Sequence, residues 1–167
     1  MGKVLLFSGI NLSKYAVKQI DADPTKPNPV VPTITLDSTA KTASLSVDKS
    51  GLSIYYTTDG STPTLSSTKY SSAINVSNGA NIKAISSNGD EVSAVPSISV
   101  SWDNNNGTIA LSSSVSGTIR YTTDGTNPTS GSNAYSSEIT PTTGETIKVA
   151  VFNGSTLVSE IATINIE

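Results

Sequence analysis

The sequence predicts an all-β chain of two tandem sandwiches preceded by an extended N-terminal arm. Three features predict it: a duplication with a period of about 65 residues, short alternating apolar stretches cut by turn-formers, and no convincing helical period. The duplication is clearest where Ile54-Tyr55-Tyr56-Thr57-Thr58-Asp59-Gly60 returns as Ile119-Arg120-Tyr121-Thr122-Thr123-Asp124-Gly125. The same offset carries Pro63 to Pro128, Tyr70-Ser71-Ser72 to Tyr135-Ser136-Ser137, Ile74 to Ile139, Ile82-Lys83 to Ile147-Lys148, and Asn88-Gly89 to Asn153-Gly154.

Within each copy the alternation assigns faces. Ala43, Leu45 and Val47 share one side of a strand, as do Ile54 and Tyr56, while Ser53, Tyr55 and Thr57 point the other way. Asn-Gly at 78–79, 88–89, 106–107 and 153–154, with Asp59-Gly60 and Asp124-Gly125, supplies the positive φ that tight turns need. Asp59 and Asp124 are expected to accept backbone N–H bonds in their turns, Gly60 and Gly125 to complete them, and Pro63 and Pro128 to stiffen the loop beyond each turn. Tyr56 and Tyr121 are expected as core rings whose hydroxyls find a loop partner.

Residues 1–31 are expected to form an arm and spacer, 32–100 the first module and 101–167 the second. Pro96-Ser97-Ile98-Ser99-Val100 matches both the opening Pro32-Thr33-Ile34-Thr35-Leu36 and the closing Thr163-Ile164-Asn165-Ile166, so one module should run straight into the next. With no linker there, a fixed relation and a short rod are expected. Trp102, at this seam, is expected to pack between the modules. A sandwich of this size buries only about 60% of its unfolded surface, so each module should be modestly stable alone.

The arm differs in kind. Val4, Leu5, Leu6, Phe7, Ile10, Leu12, Tyr15, Val17 and Ile20 have no counterpart in the second repeat and need a partner surface, and Asp21 to Pro29 reads as a stiff Pro-rich spacer. An apolar segment, a spacer and then modules is the layout of a tethered projection, with the arm ordering on a larger protein assembly. An extra edge strand or short helix of the first module is the alternative for this segment.

Composition removes several chemistries. There is no cysteine and no histidine, hence no disulfide, no thiolate metal site and no imidazole base. A net charge of -3 without any dense Lys/Arg run argues against nucleic acid. Val4 to Phe7 is too short for a signal-peptide core or a membrane span, which points to assembly in the cytoplasm. No cofactor is expected. Asp21 with Asp23, or Asp90 with Glu91, read as solvated carboxylates rather than a calcium loop. A glycosidase would need two facing carboxylates, yet no second acid is shared beside Asp59 and Asp124, because Glu138 corresponds to Ala73 and Glu145 to Ala80.

Tyr-Thr-Thr-Asp-Gly-Ser/Thr-x-Pro-Thr, with Tyr-Ser-Ser, Ile-Lys-Ala/Val and Asn-Gly downstream, resembles the chitobiase/β-hexosaminidase C-terminal-like module. The matching residues are Tyr56 to Thr64 with Tyr70 and Ile82 to Ala84, then Tyr121 to Thr129 with Tyr135 and Ile147 to Val149. The resemblance implies two tandem immunoglobulin-like (fibronectin-III-like) β-sandwiches and no catalytic residue. Such modules are appended to secreted glycosidases, bacterial surface proteins and phage virion proteins alike. Together with the arm, this gives the expectation of a phage virion structural protein, docked on a capsid or tail protein and projecting its modules for stabilisation or adhesion. The alternative is a carbohydrate-binding or spacer part of an extracellular or bacterial cell-surface glycosidase or adhesin, with Tyr55 as the candidate glycan contact. A homo-oligomer is compatible with either.

Overall fold

The computed structural model describes residues 26–76, 80–103 and 105–167, and these are all-β. The docking residues expected from Val4 through Ile20, and the expected Asn78-Gly79 turn, lie outside the described residues. In chain order the strands are β1 (Thr33–Asp37), β2 (Thr42–Ser46), β3 (Ser53–Thr57), β4 (Thr68–Lys69), β5 (Ile74–Asn75), β6 (Ala80–Ser87) and β7 (Ile98–Asp103). Then come β8 (Thr108–Ser113), β9 (Thr118–Thr122), β10 (Asn133–Ala134), β11 (Thr146–Asn153), β12 (Thr156–Leu157) and β13 (Ala162–Ile166). The strands form two sheets. The larger runs β10-β9-β11-β13-β1-β2-β5, with β12 added on β11; the smaller runs β4-β3-β6-β7-β8.

Each sheet therefore takes strands from both repeats. The larger joins β9, β11 and β13 of the second repeat to β1, β2 and β5 of the first, through a parallel pairing that sets Ile34 beside Ile164 and Leu36 beside Ile166. In the smaller sheet a single strand makes the join. β7 pairs antiparallel with β6 on one side, Val100 beside Ile82, and with β8 on the other, Val100 beside Leu111. The junction segment thus acts as last strand of one repeat and first strand of the next, and the expected boundary at residues 100 and 101 falls inside β7.

This arrangement corrects the expected rod. A strand hydrogen-bonded on both sides joins its neighbours sideways, so the repeats lie side by side in continuous sheets rather than end to end. Their apolar faces meet in one core cluster that holds Leu36, Ile82 and Val100 together with Ile109, Ile147 and Ile164. Trp102 belongs to that core, 2% exposed on β7 between Ala80 of β6 and Ile109 of β8, so it does pack at the seam. Alternation holds as expected. Ile54 is buried, Tyr56 packs against the core, and Tyr55 lies on the opposite face.

Strand directions give the body two distinct ends. β3 follows β2, and β9 follows β8, after connections too short for a parallel crossover, so each pair is antiparallel. Carried through the pairings of both sheets, this makes β1, β3, β7, β9 and β13 all run one way. The end where β1 begins is called the lower end and the end where it finishes the upper.

The chain enters at the lower end already fastened. The Pro27 carbonyl accepts from Asn88 Nδ2 at 3.2 Å, the Val30 carbonyl accepts from Ser86 Oγ at 2.6 Å, and Lys26 pairs with Asp90 at 2.6 Å. Ser86 Oγ also accepts from Val30 N at 3.0 Å. The last residues of the expected spacer are therefore bound to the first repeat, because their carbonyls meet donors at the foot of β6.

Candidate functional site

The repeated motif builds the same loop twice. Asp59 Oδ1 accepts from Ser61 N at 2.9 Å and from Ser61 Oγ at 2.5 Å; Asp124 Oδ1 accepts from Thr126 N at 3.0 Å and from Thr126 Oγ1 at 2.6 Å. Thr57 Oγ1 donates to the Ser61 carbonyl at 2.7 Å, and Thr122 Oγ1 to the Thr126 carbonyl at 2.6 Å. Further along, Ser67 Oγ accepts from Thr64 N and Ser132 Oγ from Thr129 N, both at 2.9 Å. In each loop one aspartate oxygen closes the turn by accepting two bonds from the residue two places on.

Gly60 and Gly125 both have φ of 78°, and their N–H groups donate to the carbonyls of Asn81 and Thr146. At Gly60 the left-handed backbone and the approach of Asn81 Nδ2, 2.9 Å from where a Cβ would stand, leave room for glycine alone. Pro63 and Pro128 are buried, so they pin each loop to the body as well as stiffening it. Hydrogen bonds from Ser61 and Thr126, side chain first and then backbone, hold the Asp59 and Asp124 carboxyls below their ordinary value near 3.8.

Both loops follow upward-running strands, β3 and β9, so both stand at the upper end, on opposite sides of the body. Each frames an open polar hollow. The first, about 300 Å³, is lined by Tyr56, Thr57, Thr58, Asp59, Ser61 and the Ser66-Ser67-Thr68 segment. The second, about 250 Å³, is lined by Tyr121, Thr122, Thr123, Asp124 and the Gly131-Ser132-Asn133 segment. Hydroxyls and one carboxylate dominate each, and no lysine or arginine lines either.

Tyr55 lies elsewhere. It is half-buried in mid-β3 between Lys69 of β4 and Ile85 of β6, and its counterpart Arg120 donates Nη1 to the Ser132 carbonyl at 3.0 Å. The expected hydroxyl contact of the core tyrosines falls on a different ring: Tyr135 accepts from Leu111 N at 3.1 Å, while Tyr56 meets Tyr70 edge to face at 6.3 Å. Among the described residues no group of three or more acidic side chains is placed to hold a metal ion.

Two features escaped sequence reasoning. Ser93 Oγ accepts from Ser86 N and donates to the Ala94 carbonyl, and Ser159 Oγ does the same for Val151 N and the Glu160 carbonyl. The signal was a Val-Ser pair in both repeats, at 92–93 and 158–159, displaced one residue from the main period. Glu160 Oε1 also accepts from Ser97 N and Ile98 N, the latter at 3.2 Å, which ties the second repeat to the start of β7. It has no acidic counterpart, since Ala94 stands at the matching place. Among the described residues Val92, Val95, Leu157 and Val158, 38 to 47% exposed, lie at the lower end, and Leu65, 50% exposed, stands in the first upper loop.

The family model of the chitobiase/beta-hexosaminidase C-terminal domain matches this sequence twice, over residues 35–97 and 103–163. No curated protein and no solved structure matches the chain.

Proposed function

We propose, of a chain that belongs to the chitobiase/β-hexosaminidase C-terminal domain family, that it is a non-catalytic structural unit attached by its lower end to a larger protein assembly and presenting its upper end outward. The assembly is a phage particle, with the apolar residues Val4 to Ile20 as the docking segment. The observation that carries this reading is the polarity of the body. The described chain enters at the lower end, where Val92, Val95, Leu157 and Val158 are exposed, while the two motif loops stand at the other end. Exposed apolar side chains at that end offer burial to an attachment partner. A fused core lets such a unit stand off as one piece.

Co-sedimentation with phage capsids and tails from the same source tests the proposal, comparing the full chain with one lacking residues 1–20. Binding that the deletion removes, and that Val92→Ser with Leu157→Ser weakens, is the expected result. Equal binding by the truncated chain, or none by either, would overturn attachment through this segment. A second reading, an accessory part of a glycosidase or adhesin, draws on the hydroxyl-lined hollows. Retention on a polysaccharide column without particle binding would select it.

A further inference from the structure

We infer that the two upper hollows are equivalent binding sites, each for one pyranose unit of a hydroxyl-rich glycan. The idea deepens the adhesive side of the proposed function and rests on that reading only for its biological use, not for its chemistry. Three observations carry it.

The first is the lining. Each hollow presents a carboxylate together with Ser, Thr or Asn side chains and one tyrosine, with no cation. A phosphate or carboxylate ligand would meet a negative charge with no cation among the lining residues to offset it. A divalent cation would find a single carboxylate where such ions take six or more oxygens. A sugar needs what is there: an anionic acceptor for its hydroxyls and neutral groups that both donate and accept.

The second is that part of this polar equipment is left over from folding. The turn uses Oδ1 of Asp59 and of Asp124 for both of its bonds, and no other described residue donates to the second carboxylate oxygen of either. Thr68 and Asn133, at matching places on β4 and β10, are exposed on the rims. The turn bonds therefore hold an oriented acceptor in place before any ligand arrives, which lowers the entropy lost on binding.

The third is repetition. Tyr55, the aromatic that sequence favoured for sugar contact, becomes arginine in the second repeat, whereas the carboxylate, the tyrosine, the Thr-Thr pair and one serine of the hollow recur in both. At about 250 and 300 Å³ the hollows stand at or below the small end of ligand sites, which span about 300–1,000 Å³, so each suits one ring rather than a long chain. Two shallow sites at the same end of a rigid body gain strength only by acting together on a repeating ligand.

The test uses the full-length chain, free in solution, so that its outcome is independent of any particle. Backbone amide resonances are followed during titration with the methyl glycosides of glucose, galactose, mannose and N-acetylglucosamine, then with calcium chloride and with inorganic phosphate. The expected result is a saturable response to at least one glycoside, confined to residues 57–61 and 66–68 and to their counterparts 122–126 and 131–133. Thr68→Arg should remove the first set, Asn133→Arg the second, and the double variant both, with the remaining spectrum unchanged. No response to any glycoside, a response centred on Tyr55, an undiminished response in the double variant, or a response to calcium or phosphate alone would each overturn the inference.

Discussion

The two repeats agree at their upper loops and disagree at their seams. From Thr57 to Ser67 and from Thr122 to Ser132 the four bonds of each turn recur within about a tenth of an ångström, the second loop adding a contact between Thr129 Oγ1 and Ser132 Oγ. At the joins the smaller sheet uses one strand, β7, where the larger uses two, β13 and β1, in parallel. Asp-Gly turns are closed by neighbours in sequence, so a repeated sequence repeats them. A seam depends on connectivity, and one chain can pass directly from repeat to repeat only once. The other seam must be made by segments far apart in sequence.

The largest expected effect comes from breaking the two-strand seam. Ile164, fully buried against Ile34, should cost about 2–5 kcal/mol when changed to alanine. Because the core is shared, urea denaturation should still show one transition by every probe; two separated transitions would show that the repeats fold independently.

Next is the tie that only the second repeat possesses. Glu160→Ala leaves the N–H groups of Ser97 and Ile98 without their acceptor and should cost about 1–3 kcal/mol, whereas a change at Ala94 to serine should be nearly silent. Equal effects at the two positions would mean that the asymmetry carries no energy.

Smaller still are the matched turns. Asp59→Ala and Asp124→Ala should lower the melting temperature by similar, modest amounts. Their carboxyls are held below the ordinary value, so the stabilisation is present above the unfolded value and fades as pH falls through the folded one. Melting the wild type and each variant between neutral pH and pH 2 should show the differences closing toward the acid end. A gap that persists there would assign the loss to something other than the charged turn. Smallest is Tyr55→Ala, expected to leave stability nearly unchanged; a loss as large as that of a core residue would place its ring in packing that the alternation does not assign to it.

Legibility in the sequence divides along the same line. Ile54 inward, Tyr55 outward, the Asp-Gly turns and the core role of Tyr56 could all be read, because period-two alternation and turn chemistry act over a few residues. The match of Pro96 to Val100 with both ends of the modules already signalled a shared strand. That sharing would set the repeats side by side could not be read, since the pairing of Ile34 with Ile164 spans nearly the whole described chain. Glu160 was invisible because it has no echo, and the Ser93 and Ser159 bonds because the turn before Ser159 is one residue longer. The hollows were legible as residues but not as places: Thr68 and Asn133 join them only when β4 and β10 fold back beside β3 and β9.

The parallel pairing of β1 with β13 also bears on how the body would carry a load. β1 begins at the lower end and β13 finishes at the upper, and the two strands lie side by side. Tension drawn between Thr33 and Ile166 would slide them past each other lengthwise. The hydrogen bonds between them would be strained together instead of being peeled open one at a time. The bonds that fasten Glu167 to Leu36 and Ser38 would take the strain with them. A pull from the lower end to the upper would meet the body along its stiffest direction.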